Sequence, residues 1–218
     1  MVVSESTARR YTLDPDVRLM LQVRDDNAAA FEELVARYQG RLVMVLQHLV
    51  SSPDLAEDLA QEVFLRVYRA RKSYQPGAKF STWLFTIANR AAANALRNQS
   101  RRHEVTFPAR TSGSVAMPSL VHALQVSSGQ MPARQLVNRE MREIVRMALE
   151  SLNERQRMAV LLSKFEGMSY TEIAEAMELS PQAIKSLLSR ARGNLREVLQ
   201  PYFDQGARPP IGLPNHHG

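Results

Sequence analysis

The chain has 218 residues, 44% of them hydrophobic, enough for one large or two small domains that each bury a modest core. Lys and Arg number 28 against 22 acids, a net charge of +6 that points to an anionic partner. With no cysteine, disulfides, thiolate catalysis and cysteine-ligated zinc are excluded. The longest apolar run, Leu42 to Leu46, is far too short to span a bilayer, and the first ten residues lack the apolar core of a signal peptide. A soluble, cytoplasmic protein is expected.

Residues 1–15 are polar and without period, and read as a loose arm. A short helix is predicted over Asp16 to Val23. Asn27 caps a longer one with Phe31, Leu34, Val35 and Tyr38 on one face; Gly40 is expected to punctuate it before LVMVLQHLV continues to Ser51. Ser52-Pro53-Asp54 starts the next helix, because a capping hydroxyl, a proline at the first position and early acids all suit a helix N-terminus. Its apolar face is Leu55, Leu59, Val63, Phe64 and Val67. Tyr74-Gln75-Pro76-Gly77 is a turn, and Phe80 to Leu96 is helical again, capped by Ser81 or Thr82.

From about 103 to 134 the pattern dissolves into Pro, Ser, Gly and Thr, a linker by composition. Helices resume at Gln135, Asn153 caps another, and Gly167 stops it. Met168 to Arg192 then reads as a helix-turn-helix. A first helix, Tyr170 to Met177, turns inward Ile173, Ala174 and Met177. Ser180 caps and Pro181 opens a second helix with Ile184, Leu187, Leu188 and Ala191 inward. Small Ala174 lies where the two cross. The second helix carries Lys185, Arg190, Arg192 and Arg196 before any acid, and its exposed start (Ser180, Gln182, Ala183, Lys185, Ser186) can reach base edges in a major groove. Pro201 is expected to end it, and 201–218 reads as a disordered tail. No stretch reads as a strand. The expected fold is all-α, with two helical domains, 16–102 and 135–200, joined by an irregular linker.

No catalytic constellation is present: there is no glycine-rich phosphate loop and no Cys–His pair, and none of the five histidines has a ligand at helical spacing. No cofactor or metal is expected. Charge segregation is the stronger signal. Asp54, Glu57, Asp58 and Glu62 cluster on one half-helix, which is either a solvated face or a dock for a basic protein groove. From Val63 to His103 there is no acid, while Arg66, Arg69, Arg71, Lys72, Lys79, Arg90, Arg97, Arg101 and Arg102 are basic. Such cations neutralise phosphates and release counterions. Tyr68, Tyr74, Phe80, Trp83 and Phe85 are interleaved with them, and aromatics beside cations suit unstacked bases, at roughly 1–3 kcal/mol per stacked base. Phe80 and Trp83 divide evenly between core and base contact; Tyr68 and Tyr74 are expected to be exposed.

DLAEDLAQEVFLRVYRA (54–70), FSTWLFTIANRAAANALR (80–97) and LNERQRMAVLLSKFEGMSYTEIAEAMELSPQAIKSLLSRARGNLREVL (152–199), in that order, resemble the extracytoplasmic-function sigma factors of the sigma-70 family, initiation subunits of bacterial RNA polymerase. The resemblance covers 16–102 and 135–200. It implies that core polymerase is bound through its β′ clamp helices by Asp54, Glu57, Asp58, Gln61 and Glu62, with the β flap as a second contact. It implies that the minus-ten element is melted and a flipped base held by Lys79, Trp83, Arg90, Asn94, Arg97 and Arg101. The minus-35 duplex falls to Ser180, Gln182, Lys185, Ser186, Ser189, Arg190 and Arg192. An anti-sigma partner, a monomeric free chain and a linker threading the polymerase channels are also implied. Four positions depart from the family pattern: Arg90 where many relatives have Asn, Asn94 for Asp, Glu178 for the turn glycine, and Leu187 for a common arginine. Glu178 requires a turn built without positive φ, or a strained one. Two other readings stay open: a dimeric helix-turn-helix regulator with a helical sensor domain, and a nucleic-acid-processing enzyme.

Overall fold

Local signals open six of the eight helices among the described residues. In the computed structural model, which describes residues 11, 13–50, 52–105 and 132–204, eight α-helices are present among the described residues and no strand. Most of the arm, linker and tail (1–10, 106–131 and 205–218) lies outside them. Helix α1 (Pro15–Arg24) starts at Asp14, whose carboxylate accepts from the N–H groups of Asp16 at 2.9 Å and Val17 at 3.2 Å. Asn27 caps α2 (Ala28–Val50) by accepting from Ala30 N–H. Ser52 caps α3 (Pro53–Ala70), with Pro53 at the first position, and a single 3-10 turn (Arg71–Ser73) follows. Helix α4 spans Phe80–Val105 and α5 spans Pro132–Glu150. Asn153 and Gln156 form a reciprocal capping box on α6 (Glu154–Lys164), as do Ser169 and Glu172 on α7 (Tyr170–Met177). Ser180 accepts from Ala183 N–H at the start of α8 (Pro181–Asp204).

Three expectations are corrected here. Gly40 does not interrupt α2: buried Leu34, Tyr38, Leu42, Val45 and Leu49 keep one face in the core on both sides of it. That burial outweighs the roughly 1 kcal/mol that glycine costs a helix interior. Pro201 does not end α8, which runs on to Asp204. The N–H it lacks would have met the carbonyl of exposed Glu197, a group open to water. Helix α4 begins at Phe80, so Ser81 and Thr82 lie in its first turn rather than at the cap; Thr82 is buried, and its Oγ1 has no partner.

Helices α1 to α4 pack around Val17, Met20, Leu34, Leu42, Leu46, Val63, Val67, Phe80, Leu84 and Phe85, all fully buried. Ala56 and Ala60 on the inner face of α3 let it lie close along α2. Helices α5 to α8 form a smaller unit around Leu161, Leu162, Ile173, Ile184 and Ala191. The two units do not stand apart: α7 packs along α4, α6 and the end of α5 pack on α2, and the buried apolar side chains form one continuous cluster. The Arg157 guanidinium fastens the joint, donating to the carbonyls of Leu149 (2.8 Å), Leu152 (3.0 Å), Glu150 (3.1 Å) and, from the other unit, His48 (3.1 Å). Among the described residues no helix is long and apolar enough to cross a membrane, and no cluster of His, Cys, Asp and Glu could hold a metal.

Candidate nucleic-acid interface

Helical spacing sorts the candidate residues onto three surfaces. On α3, Asp54, Asp58 and Gln61 are exposed at steps of four and three residues, hence on one face. Glu57 and Glu62 flank them half-buried, and Glu62 is tied to Arg66 at 2.8 Å. The same stripe runs on to exposed Leu65 and Tyr68, where Arg71 stacks its guanidinium 4.0 Å from the Tyr68 ring centroid. Tyr68 is thus exposed as expected. Leu65 went unread, although it stands eleven residues, about three turns, after Asp54.

On α4, Trp83, Arg90, Asn94, Arg97 and Arg101 recur at seven, eleven, fourteen and eighteen residues, which places all five on one side of the helix. Arg90, Asn94, Arg97 and Arg101 are exposed, Arg97 donating to Asn94 Oδ1; Trp83 is half-buried. The evenly divided aromatics separate: Phe80 is wholly buried and edge-on to Tyr38 at 5.1 Å, while Trp83 keeps part of its ring in solvent. Tyr74, expected outside, is buried, because the turn that follows folds it back until its ring centroid lies 4.8 Å from that of Trp83, tilted at 55°. Its hydroxyl has no partner, and burial pushes its phenol well above the usual range.

Two cations of this surface are already engaged by the other unit. Lys79, just before α4, meets Glu172 of α7 at 2.8 Å, and Arg90 meets Glu178 at the end of α7. Donating to these carboxylates raises both bases above their ordinary values. On the acid side, Glu178 is held below the usual carboxylate range by Arg90. Glu172 is also lowered: burial opposes its ionisation, but Lys79 and the Ser169 N–H overcome it. A third pair, Arg41 of α2 with Glu166 after α6, has the same polarity, base from the first unit and acid from the second. The Glu166 carboxylate is buried, and burial raises it despite its arginine. None of these three acids was singled out as a partner in the sequence, although Arg90 and Glu178 were two of the four departures from the family pattern.

On α8, Gln182, Lys185, Ser189 and Arg192 are exposed on one face, with Ser186 half-buried beside it and Arg190 exposed to the side. Arg192 donates back to Leu188 O, and the Ser180 hydroxyl is engaged as the cap. Lys185, Arg190, Arg192 and Arg196 form no ion pair among the described residues. The turn before α8 is the strained alternative: Glu178 sits at φ 55°, ψ 43°, in the left-handed region, its N–H on Glu175 O and that of Leu179 on Ala174 O.

Comparison with known proteins matches each of the two units to a family model. Residues 34–102 match the family model for Sigma-70 region 2, and residues 142–195 that for Sigma-70, region 4. The RNA polymerase sigma factor CarQ of Myxococcus xanthus is 37% identical over 83% of this chain and 95% of its own. The ECF RNA polymerase sigma-E factor of Escherichia coli (strain K12) is 32% identical over 85% of this chain and 95% of its own. Among solved structures, the sigma factor RpoE of Bartonella quintana, in complex with the anti-sigma factor NepR, is 25% identical. It superposes with a TM-score of 0.61 over 78% of this chain and 96% of its own. CnrH in complex with the cytosolic domain of CnrY shares the fold at 24% identity and the same TM-score, over 86% of this chain and 98% of its own. The chain belongs to the extracytoplasmic-function sigma factors, the sigma-70 family subunits that direct RNA polymerase to promoters for transcription initiation.

Proposed function

We propose a division of this role among the three helical surfaces. The α3 face (Asp54, Glu57, Asp58, Gln61, Glu62) docks core polymerase at the β′ clamp helices. The α4 face (Lys79, Trp83, Arg90, Asn94, Arg97, Arg101) opens the minus-ten element and holds a flipped base. The α8 face (Ser180, Gln182, Lys185, Ser186, Ser189, Arg190, Arg192) reads the minus-35 duplex, with the β flap of polymerase behind it. Residues 16–102 and 135–200 serve as the two functional domains, and 103–134 as the connector through polymerase. The observation that carries this reading is that most of each set shares one side of one helix, acidic on α3 and basic on α4 and α8, with Lys79 just before α4, Ser180 at the cap of α8 and Arg190 to the side.

The chemistry is consistent with those roles. Unstacking a base costs a few kcal/mol, and one ring such as Trp83 with neighbouring cations offsets it. Lys185 and Arg190 supply phosphate or base-edge contacts on duplex DNA. The chain carries no reaction of its own; polymerase does, in the cytoplasm, where the free sigma factor is a monomer. An anti-sigma protein is the expected partner, a reading supported by the complex with the anti-sigma factor NepR in which RpoE was solved. Transcription from a cognate promoter with purified core enzyme tests the proposal. Promoter-specific transcripts should appear only when the chain is added; specificity equal to core alone rejects it. Asp58→Lys with Glu62→Lys should abolish binding to core in a pull-down while circular dichroism stays unchanged.

A further inference from the structure

The three pairs that join the two units share one polarity, and two of them sit on the α4 surface assigned to DNA. Lys79 and Arg90 face Glu172 and Glu178, carboxylates that lie where phosphate oxygens of a bound strand would be drawn. Arg41–Glu166 holds the same joint from α2. Glu178 gives a second, independent observation. A glycine would adopt its left-handed backbone without penalty, and a side chain in that conformation persists only where its surroundings hold it. Here the side chain reaches Arg90 across the joint. The arrangement is selective, since the cations of α8 are left without acids.

We propose that the carboxylates of α7 act as an internal stand-in for the minus-ten strand, so that the free chain keeps Lys79 and Arg90 of its α4 surface engaged by its own helix-turn-helix. This rests on the assignment of α4 to single-stranded DNA made above. Partly exposed ion pairs are individually weak, so the closure is reversible, and a polyanion with closely spaced phosphates can displace it. The apolar packing of α7 on α4 sets how the units meet; the acids decide which cations are withheld. Salt weakens ion pair and DNA contact alike, so ionic strength cannot discriminate, whereas neutralising the acids can.

The test uses the full chain and a short fluorescein-labelled single-stranded deoxyoligonucleotide, read by anisotropy at fixed salt. Glu172→Gln with Glu178→Gln keeps the capping box at Ser169, which glutamine also satisfies. Its Kd for the strand should fall by roughly fivefold or more, the scale of a modest coupling between sites. Glu32→Gln with Glu197→Gln, exposed positions outside the joint, makes the same change in net charge and should move Kd far less. Equal tightening in both variants, or none in the first, overturns the proposal. Small-angle scattering adds a structural readout: Glu178→Arg should enlarge the free chain, and Arg90→Glu with Glu178→Arg should restore its size. No enlargement, or no restoration, overturns it as well. Promoter-specific transcription with core polymerase is scored separately, because its absence in wild type and variants alike would remove the sigma-factor surface assignment while leaving the strand-binding and scattering results to judge the closure.

Discussion

The basic faces of α4 and α8 are alike in sequence and differ in state. Both are stripes of arginine and lysine at helical spacing with few acids near them. On α8 the cations of the face proposed to read duplex DNA stand free of ion pairs among the described residues. On α4, Arg90 and neighbouring Lys79 are held by α7. Counting positive charges thus ranks the faces as equals, and geometry separates them: a cation is available to phosphate only if nothing nearer has claimed it.

The hardest way to break this contrast is to remove the fastening. Arg157→Ala leaves four carbonyls at helix ends without their donor, one of them across the joint. It should cost about 3 kcal/mol and lower Tm by roughly 6–12 °C in calorimetry, with the α4 face becoming as open as α8. Arg41→Ala leaves the buried Glu166 carboxylate unpaired. A loss of about 2 kcal/mol is expected in urea titration, below the roughly 3–5 kcal/mol of a fully buried pair because Arg41 keeps its outer side in water. Next come the free cations. Lys185→Ala and Arg190→Ala should each weaken duplex binding by roughly 1 kcal/mol, and each lost phosphate contact should lower the slope of log affinity against log salt by about one.

The smallest effect is that of pH, and its sign differs from group to group. His48, beside the joint, is lowered from 6.5, first by burial and then by the Arg157 charge. A histidine lowered on folding contributes stability that is complete above 6.5 and lost as pH falls through its folded value. Glu172 and Glu178 are lowered from 4.5, so what they contribute is lost only in stronger acid, below 4.5. Glu166 is raised, so its cost at neutral pH is relieved on acidification and partly offsets them. Urea midpoints should therefore begin to drop below pH 6.5, and His48→Gln should remove that first limb while leaving the steeper one.

Much of this was legible in the chain. Asn27, Ser52, Asn153 and Ser180 cap the helices they were expected to cap, and Tyr170–Met177 has the bounds expected of it, because a cap needs only groups within three or four residues. The faces of α3, α4 and α8 were readable for the same reason. The misreadings share a cause. Gly40 and Pro201 are local helix breakers whose effect was outweighed by burial in one case and by exposure in the other. Tyr74 was read from its basic neighbours, whereas its place was decided by Trp83, nine positions on and across a turn.

Sequence alone determined that the chain is all-α, where most of its helices start, and which side of each carries acid or base, since period, cap and composition act within one or two turns. Only the tertiary structure decided which of those charges are free. Arg90 and Glu178 lie 88 residues apart, and no local rule sees both. Two departures from the family pattern that look unrelated along the chain become one ion pair once α7 is laid on α4, because a surface charge is defined by its nearest counter-charge in space and not by its neighbours in the chain.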